Sequence, residues 1–599
     1  MQDELKKLIQ MYNQQEFEKA IDYANIINNK YPKKSIVYNI LGAIYTKIKL
    51  FDNAIINYKE AIKLDPNNSE LYNNLGVAYK LNFSISEAIN QLIKAIKINN
   101  NYSEAYYNLG NCNNELGDYI IAENYYKKAI KLKPNYAEAY NNLSVSLNFQ
   151  KKYQEAEDSV KKAIHFNQGY AEAFKNLGLV LVNLNKFDEA IQSFRKAISI
   201  TPNYSAAYSE LCDYYEKSNE IDNLKKTVLE FSLNVDKQDP LLIFRKAQLA
   251  SREKKYLEAE KLLVDMNVIG LSNSIITKRL ELLSKTYDKL KKYNLAYEAI
   301  IENNTFIKSI PKNKSFSGIK YRENIEKIIK SYKGFDSSVL KNNNKNIDEN
   351  LIFLIGFPRS GTTLLDTILS SHNKILTVEE MPMVNKMKSI LGHNITSKKL
   401  TKLNQDKIQE CEKAYFSELS KHININDTEK LIIDKLPLNI IDVHLINSIF
   451  PASKFILVLR HPCDTVLSCL MQSFDMNDAM ASFLDLKETA ELYNLVMTLW
   501  KIFEERLDLD FHTIKYENLI DDLEKETTLL LNFLDLEWDE NIKNYQKTAL
   551  LKKSKTPSYN QITEKLYKSS QNRWENYKSE IYPIIPLLEK WLKIWDYKL

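Results

Sequence analysis

A chain of 599 residues is too long for one hydrophobic core and implies two or more domains. Charged residues make up 27% and the formal net charge is only +5, so there is no strong electrostatic case for nucleic acid, while an anionic small ligand is well accommodated. The five cysteines, Cys112, Cys212, Cys411, Cys463 and Cys469, are scattered and without metal-ligand spacing, so neither a disulfide framework nor a metal is expected. The chain opens Met-Gln-Asp-Glu-Leu-Lys-Lys, polar and helical, and no apolar run approaches the ~18 residues of a membrane span, so no membrane partner and a cytoplasmic location are expected.

The first half repeats itself. Gly42, Gly76, Gly110 and Gly178 are separated by 34 residues or a multiple of it, with Ser144 filling the gap. Ala20, Ala54, Ala88, Ala122, Ala156 and Ala190 keep the same period, as do Ala61, Ala95, Ala129, Ala163 and Ala197. Pro32, Pro66, Pro134 and Pro202 close four units, and Tyr38, Tyr72, Tyr106, Tyr140, Phe174 and Tyr208 precede the small-residue position by four. Small residues let two helices approach, and proline ends the second. This is the tetratricopeptide repeat (TPR) pattern, which predicts an all-α superhelix of stacked hairpins over 1–310. The repeats are clear over 35–204 and degenerate over 1–34 and 205–310 (near 240–273 and 277–310). The concave face of such an array is a place for a peptide or protein.

Residues 311–348 read as a joint: a helix from Tyr321 to Tyr332, then an asparagine- and lysine-rich stretch. An α/β domain is expected over 349–599. Leu351 to Ile355 has the composition of a buried strand. The chain then turns through Gly356, Pro358 and Gly361 and continues at helical spacing through Leu364, Leu365, Ile368 and Leu369. A strand, a glycine-punctuated loop and a helix offer backbone N–H groups and a helix N-terminus to an anion. The loop is P-loop-like, but Thr362 stands where a P-loop has lysine. Further strands are expected near 372–380, delivering Glu379 and Glu380, at Leu431 to Lys435, and at Lys454 to Arg460 ahead of a helix with Ser468. Charged residues at strand ends are where open parallel α/β sheets bind ligands.

Phe357-Pro-Arg-Ser-Gly-Thr-Thr-Leu-Leu resembles the 5′-phosphosulfate loop of sulfotransferases, and Lys454-Phe-Ile-Leu-Val-Leu-Arg-His-Pro-Cys-Asp-Thr-Val-Leu-Ser resembles their 3′-phosphate motif. The similarity is to the tyrosylprotein sulfotransferase group and its TPR relatives, from Leu351 to about Trp574. It implies a sulfuryl donor, 3′-phosphoadenosine 5′-phosphosulfate (PAPS), and no metal. It implies that Arg359, Ser360, Gly361, Thr362 and Thr363 hold the 5′-phosphosulfate and that Arg460 and Ser468 hold the 3′-phosphate. Glu380 would be the general base and Lys435 the cation at the bridging oxygen. Tyr516 resembles the adenine-side tyrosine, and Ser558 and Arg573 resemble the late loop over the nucleotide. After Glu380 the chain runs Met381-Pro382-Met383, where tyrosylprotein enzymes carry an arginine that reads acidic peptides, so the acceptor is left open among protein, saccharide, lipid and small alcohol. His372, His461 and Cys463 are expected to be structural.

Two other readings fit the same residues. One is a P-loop kinase or NTPase, with Ile432-Ile-Asp434 as its magnesium-binding strand. The other is a TPR scaffold with a degenerate C-terminal domain.

Overall fold

The computed structural model describes residues 1–335, 350–392, 395–424, 430–552 and 571–599. Packing divides them into two compact units: 1–216 with 220–245, and 217–219 with 246–599.

The first unit is a stack of antiparallel helix hairpins. Ser35–Lys47 pairs with Phe51–Leu64, Ser69–Leu81 with Ile85–Ile98, and Ser103–Leu116 with Tyr119–Leu132. The glycines are there because of what faces them. A Cβ on Gly42 would lie 2.6 Å from the ring of Tyr58, and Gly76, Gly110 and Gly178 are closed in the same way by Leu92, Tyr126 and Phe194. Each partner is 16 residues further on. In the unit lacking the glycine, Ser144 is fully buried and position 160 is a smaller valine, which leaves room for the hydroxymethyl group. Neighbouring hairpins are joined by recurring contacts: Asn73 with Asn108 and Asn141 with Asn176 (2.9 and 2.8 Å), and Lys152 with Glu123 and Lys186 with Glu157 (2.9 and 2.8 Å).

The turn inside each hairpin has one left-handed residue, at Gln15, Lys49, Phe83, Gly117, Lys151, Asn185 and Asn219, and then at Lys254 and Lys291. The backbone thus keeps the repeat at both ends, where the sequence pattern is weak. The last hairpin, Asn273–Lys289 with Tyr293–Ser309, lies in the second unit.

The second unit is built on a five-stranded parallel sheet: β1 (Leu351–Gly356), β2 (Ile375–Glu379), β3 (Leu431–Lys435), β4 (Lys454–Leu459) and β5 (Asp510–Lys515), in the order β2-β3-β1-β4-β5. Both faces are buried, as parallel sheets require. Leu351, Phe353 and Ile355 point to one core, and Ile352 and Leu354 to the other with Leu365, Ile368 and Leu369.

The first of these cores also contains Ala296 and Ile300 of the last hairpin and Ile325, Ile328 and Tyr332 of the helix Gly318–Ser331 and its end. Arg322 of that helix pairs with Glu488 at 3.0 Å, and a Cβ on Gly318 would collide with Ser482. The helix read as a joint is therefore packed into the α/β body, and the change in packing comes near Lys246, well before the change in composition near 341. The polar stretch 341–349 itself lies outside the described residues.

Candidate functional site

The chain order reverses beside β1, between β3 and β4, and the ends of these strands open there. β1 runs into the glycine loop. A Cβ on Gly356 would meet the Val458 carbonyl at 2.7 Å and the Ser360 hydroxyl at 2.8 Å, so the loop starts tight against β4. Arg359 and Gly361 both take left-handed backbone, φ 69° and 106°. A Cβ on Gly361 would also lie 2.5 Å from the ring of Tyr516, which closes over the loop from the end of β5. Gly361 caps the helix Thr362–Leu369. The Ser360 hydroxyl is buried and has no hydrogen-bond partner among the described residues. A tight backbone cradle, a helix N-terminus and a buried hydroxyl fit an anionic group of phosphate or sulfate size.

β4 delivers the second half. Arg460 is almost fully buried, donates from Nη1 to the Arg359 carbonyl at 3.1 Å, and lies over the Tyr516 ring at 5.0 Å. The helix Pro462–Leu470 carries Ser468, whose hydroxyl accepts from Arg359 Nε at 3.1 Å. Arg359 thus reaches from the first motif to the second.

The reacting end is set by strand register. β2 and β3 pair in parallel with Glu379 opposite Lys435, and the Glu380 N–H donates to the Lys435 carbonyl at 2.8 Å. Lys435 Nζ lies 2.9 Å from both Glu379 and Glu380, with Lys435 fully buried and Glu380 44% exposed. Burial alone would lower the Lys435 ammonium, but the carboxylates of Glu379, Glu380 and Asp366 outweigh it and hold the group above its ordinary value. A fixed cation beside a reachable carboxylate can steady a leaving oxygen while a hydroxyl is deprotonated.

Asp434 faces the other side of the sheet. It is fully buried, accepts from the Tyr415 hydroxyl at 2.9 Å, and burial pushes its carboxyl up to about 7. It is turned away from the loop, where the kinase reading needs a magnesium ligand.

Of the remaining candidates, Thr362 and Thr363 open the helix behind Gly361, and Ser558 lies outside the described residues. Arg573 is brought to the site by an unexpected route. It pairs with Asp288 of the last repeat hairpin at 3.1 Å, and the Tyr577 hydroxyl donates to the same oxygen at 2.6 Å. His372 is structural: Nδ1 accepts from the Lys374 N–H and Nε2 reaches the Glu537 carbonyl, each at 3.0 Å. His461 stacks on Trp574 and reaches the Lys598 carbonyl at 2.9 Å, and Cys463 is buried.

The sequence delivers Glu379 beside Glu380 but does not show that Glu379 shares Lys435, and it leaves two further supports unassigned. Asp464 accepts from the N–H groups of Asn572 and Trp574 at 2.8 Å, anchoring the chain beside Arg573. Glu517 accepts from the His461 N–H at 2.9 Å and the Tyr597 hydroxyl at 2.8 Å. Asp464 follows Arg460 by four residues, which was a usable helical signal; the other two needed the sheet register and the C-terminal packing.

Residues 351–540 match the sulfotransferase family. Tetratricopeptide repeats match at 42–82, 69–102, 103–136, 125–158 and 171–204. An uncharacterized protein of Aquifex aeolicus is 26% identical over 325 residues, 52% of this chain and 41% of the relative. Protein-tyrosine sulfotransferase A of Caenorhabditis elegans is 22% identical over 222 residues, 35% of this chain and 56% of the relative. The chain thus spans about half the length of the curated relatives it matches. Among solved structures, that of MamA is 31% identical with a TM-score of 0.25, covering 27% of this chain and 94% of MamA.

Proposed function

We propose that this protein transfers a sulfuryl group from PAPS to an acceptor hydroxyl, with the repeat array selecting the acceptor. The observation that carries the reading is Lys435, buried and 2.9 Å from Glu380, at the strand ends beside the Gly361 loop. The match of 351–540 to the sulfotransferase family and the resemblance to protein-tyrosine sulfotransferases support it.

In this reading the loop N–H groups, Ser360 and Thr362 hold the 5′-phosphosulfate, Arg460 and Ser468 hold the 3′-phosphate, and Tyr516 flanks the adenine. Glu380 takes the proton of the acceptor hydroxyl. The acceptor oxygen forms a bond to sulfur as the bond from sulfur to the bridging oxygen breaks. The electron pair stays on adenosine 3′,5′-bisphosphate, where Lys435 faces the growing charge. The task is chiefly one of placing charge, as in phosphoryl transfer.

Calorimetric titration with adenosine 3′,5′-bisphosphate, against ATP with magnesium, tests the donor. Metal-independent binding that Arg460→Ala weakens at least tenfold is expected, from loss of charge-assisted bonds of ~1.5–3 kcal/mol each. Binding of ATP–magnesium in preference to the bisphosphate would overturn the reading in favour of a kinase.

A further inference from the structure

We propose that the last repeat hairpin is part of the donor site, with Lys285 a ligand of the donor's 3′-phosphate and Asp288 positioning Arg573 for the same group. The inference rests on the sulfotransferase reading above and adds residues that neither nucleotide motif contains. A cleft of about 40 Å³, room for a few water-sized groups, is lined by Ser284, Lys285 and Ile300 from the hairpin and by Arg359, Ser468 and Arg573 from the α/β body. Three cations and two hydroxyls meet there, a set that selects an anion. Ser468, which the motif assigns to the 3′-phosphate, lines this cleft, whereas Lys435 and Glu380 do not. Arg359 of the glycine loop lines it too, through the bond that it donates to Ser468, so the cleft is assigned to the phosphate beside Ser468 and not to the end that holds Lys435 and Glu380.

The nearby acids are engaged in ways that suit this role. Asp288 accepts from both Arg573 and Tyr577 on one oxygen, which orients the guanidinium. Lys285 pairs with Glu281 at 2.6 Å but is 53% exposed, so that pair is weak and gives way readily to a doubly charged phosphate. The hairpin is also fixed in place. Asn304 donates to the Leu470 carbonyl and Asn303 to the Ser473 hydroxyl, each at 3.2 Å, at the end of the helix bearing Ser468 and just beyond it. Ala296 and Ile300 lie in the core beneath the sheet. A repeat module is thus held rigidly enough to present a ligand.

The test is calorimetry on the full chain with two probes, adenosine 3′,5′-bisphosphate and AMP, which lacks the 3′-phosphate. Lys285→Ala and Asp288→Asn are each expected to weaken the bisphosphate about tenfold and leave AMP within twofold, while Lys285→Arg restores binding. Lys289→Ala, on the same helix outside the cleft, is the control and should change neither. A thermal melt of each variant separates lost binding from lost folding, and a purely structural role would weaken both probes alike. Equal loss of both probes, or bisphosphate binding unchanged in Lys285→Ala but lost in Arg460→Ala, would overturn the inference and leave the sulfotransferase reading standing. A wild type that does not prefer the bisphosphate would overturn both.

Discussion

Replacing Lys435 by methionine keeps the length of the stem and removes the charge. Two hydrogen bonds of 2.9 Å are lost, one to Glu379, 21% exposed, and one to Glu380, 44% exposed. The bond to Glu380 is largely screened by solvent, so its share of stability is small. Glu379 is left facing a buried site without its cation, and the net cost is about 1–3 kcal/mol. For a unit of this size that lowers its melting temperature by several degrees. The effect on catalysis is larger. A preorganised charge at the leaving oxygen is lost, which costs on the order of 10²–10³ in kcat. Adenosine bisphosphate affinity should change less than threefold, because the contacts assigned to Arg460 and Ser468 remain. The assay follows release of the bisphosphate from PAPS with a panel of phenols, alcohols and protein acceptors, alongside calorimetry. A kcat within tenfold of wild type, or a change confined to the KM for PAPS, would refute the role given to Lys435.

Gly361→Ala places a Cβ at φ 106° and 2.5 Å from Tyr516, so strain of ~1–3 kcal/mol at the cradle should weaken bisphosphate binding tenfold or more in the same titration. Asp434 titrates near 7 in the folded protein and near 3.8 ordinarily, so between those values the folded state binds more protons and loses stability as pH rises. Asp434→Asn keeps an acceptor for Tyr415 and removes this slope; melting curves at pH 5 and pH 8 should show the variant gaining on wild type at the higher pH, and parallel shifts would count against it. Gly178→Ala forces a methyl group into the Phe194 ring and should destabilise by ~1–3 kcal/mol, and adding Phe194→Val, in imitation of Ser144 with Val160, should recover part of that loss in a denaturant melt.

Much of this is legible in the sequence. The glycine and alanine periods announced the hairpins because close helix contacts leave small residues at fixed intervals. The loop at Gly361 and the strand ends at Lys435 and Arg460 were legible because buried parallel strands are short apolar runs with abrupt polar ends. β5 was not, since Asp510-Phe-His-Thr-Ile-Lys is a partly exposed edge strand with charged ends and little alternation. Nor was the role of the last hairpin: Asp288 and Arg573 are 285 residues apart, and their pairing follows from packing alone. The helix Gly318–Ser331 misled for a related reason, because a polar stretch after it looks like a boundary while its apolar face is already committed to the core.

The contacts joining neighbouring hairpins recur at nearly constant offsets, Asn to Asn at 35 residues and Lys to Glu at 29. The surface that one repeat offers to the next is therefore much the same surface that it receives. Links that mate interchangeably can be added or removed one at a time without redesigning what lies on either side. The number of repeats is then free to change without altering the fit between those that remain.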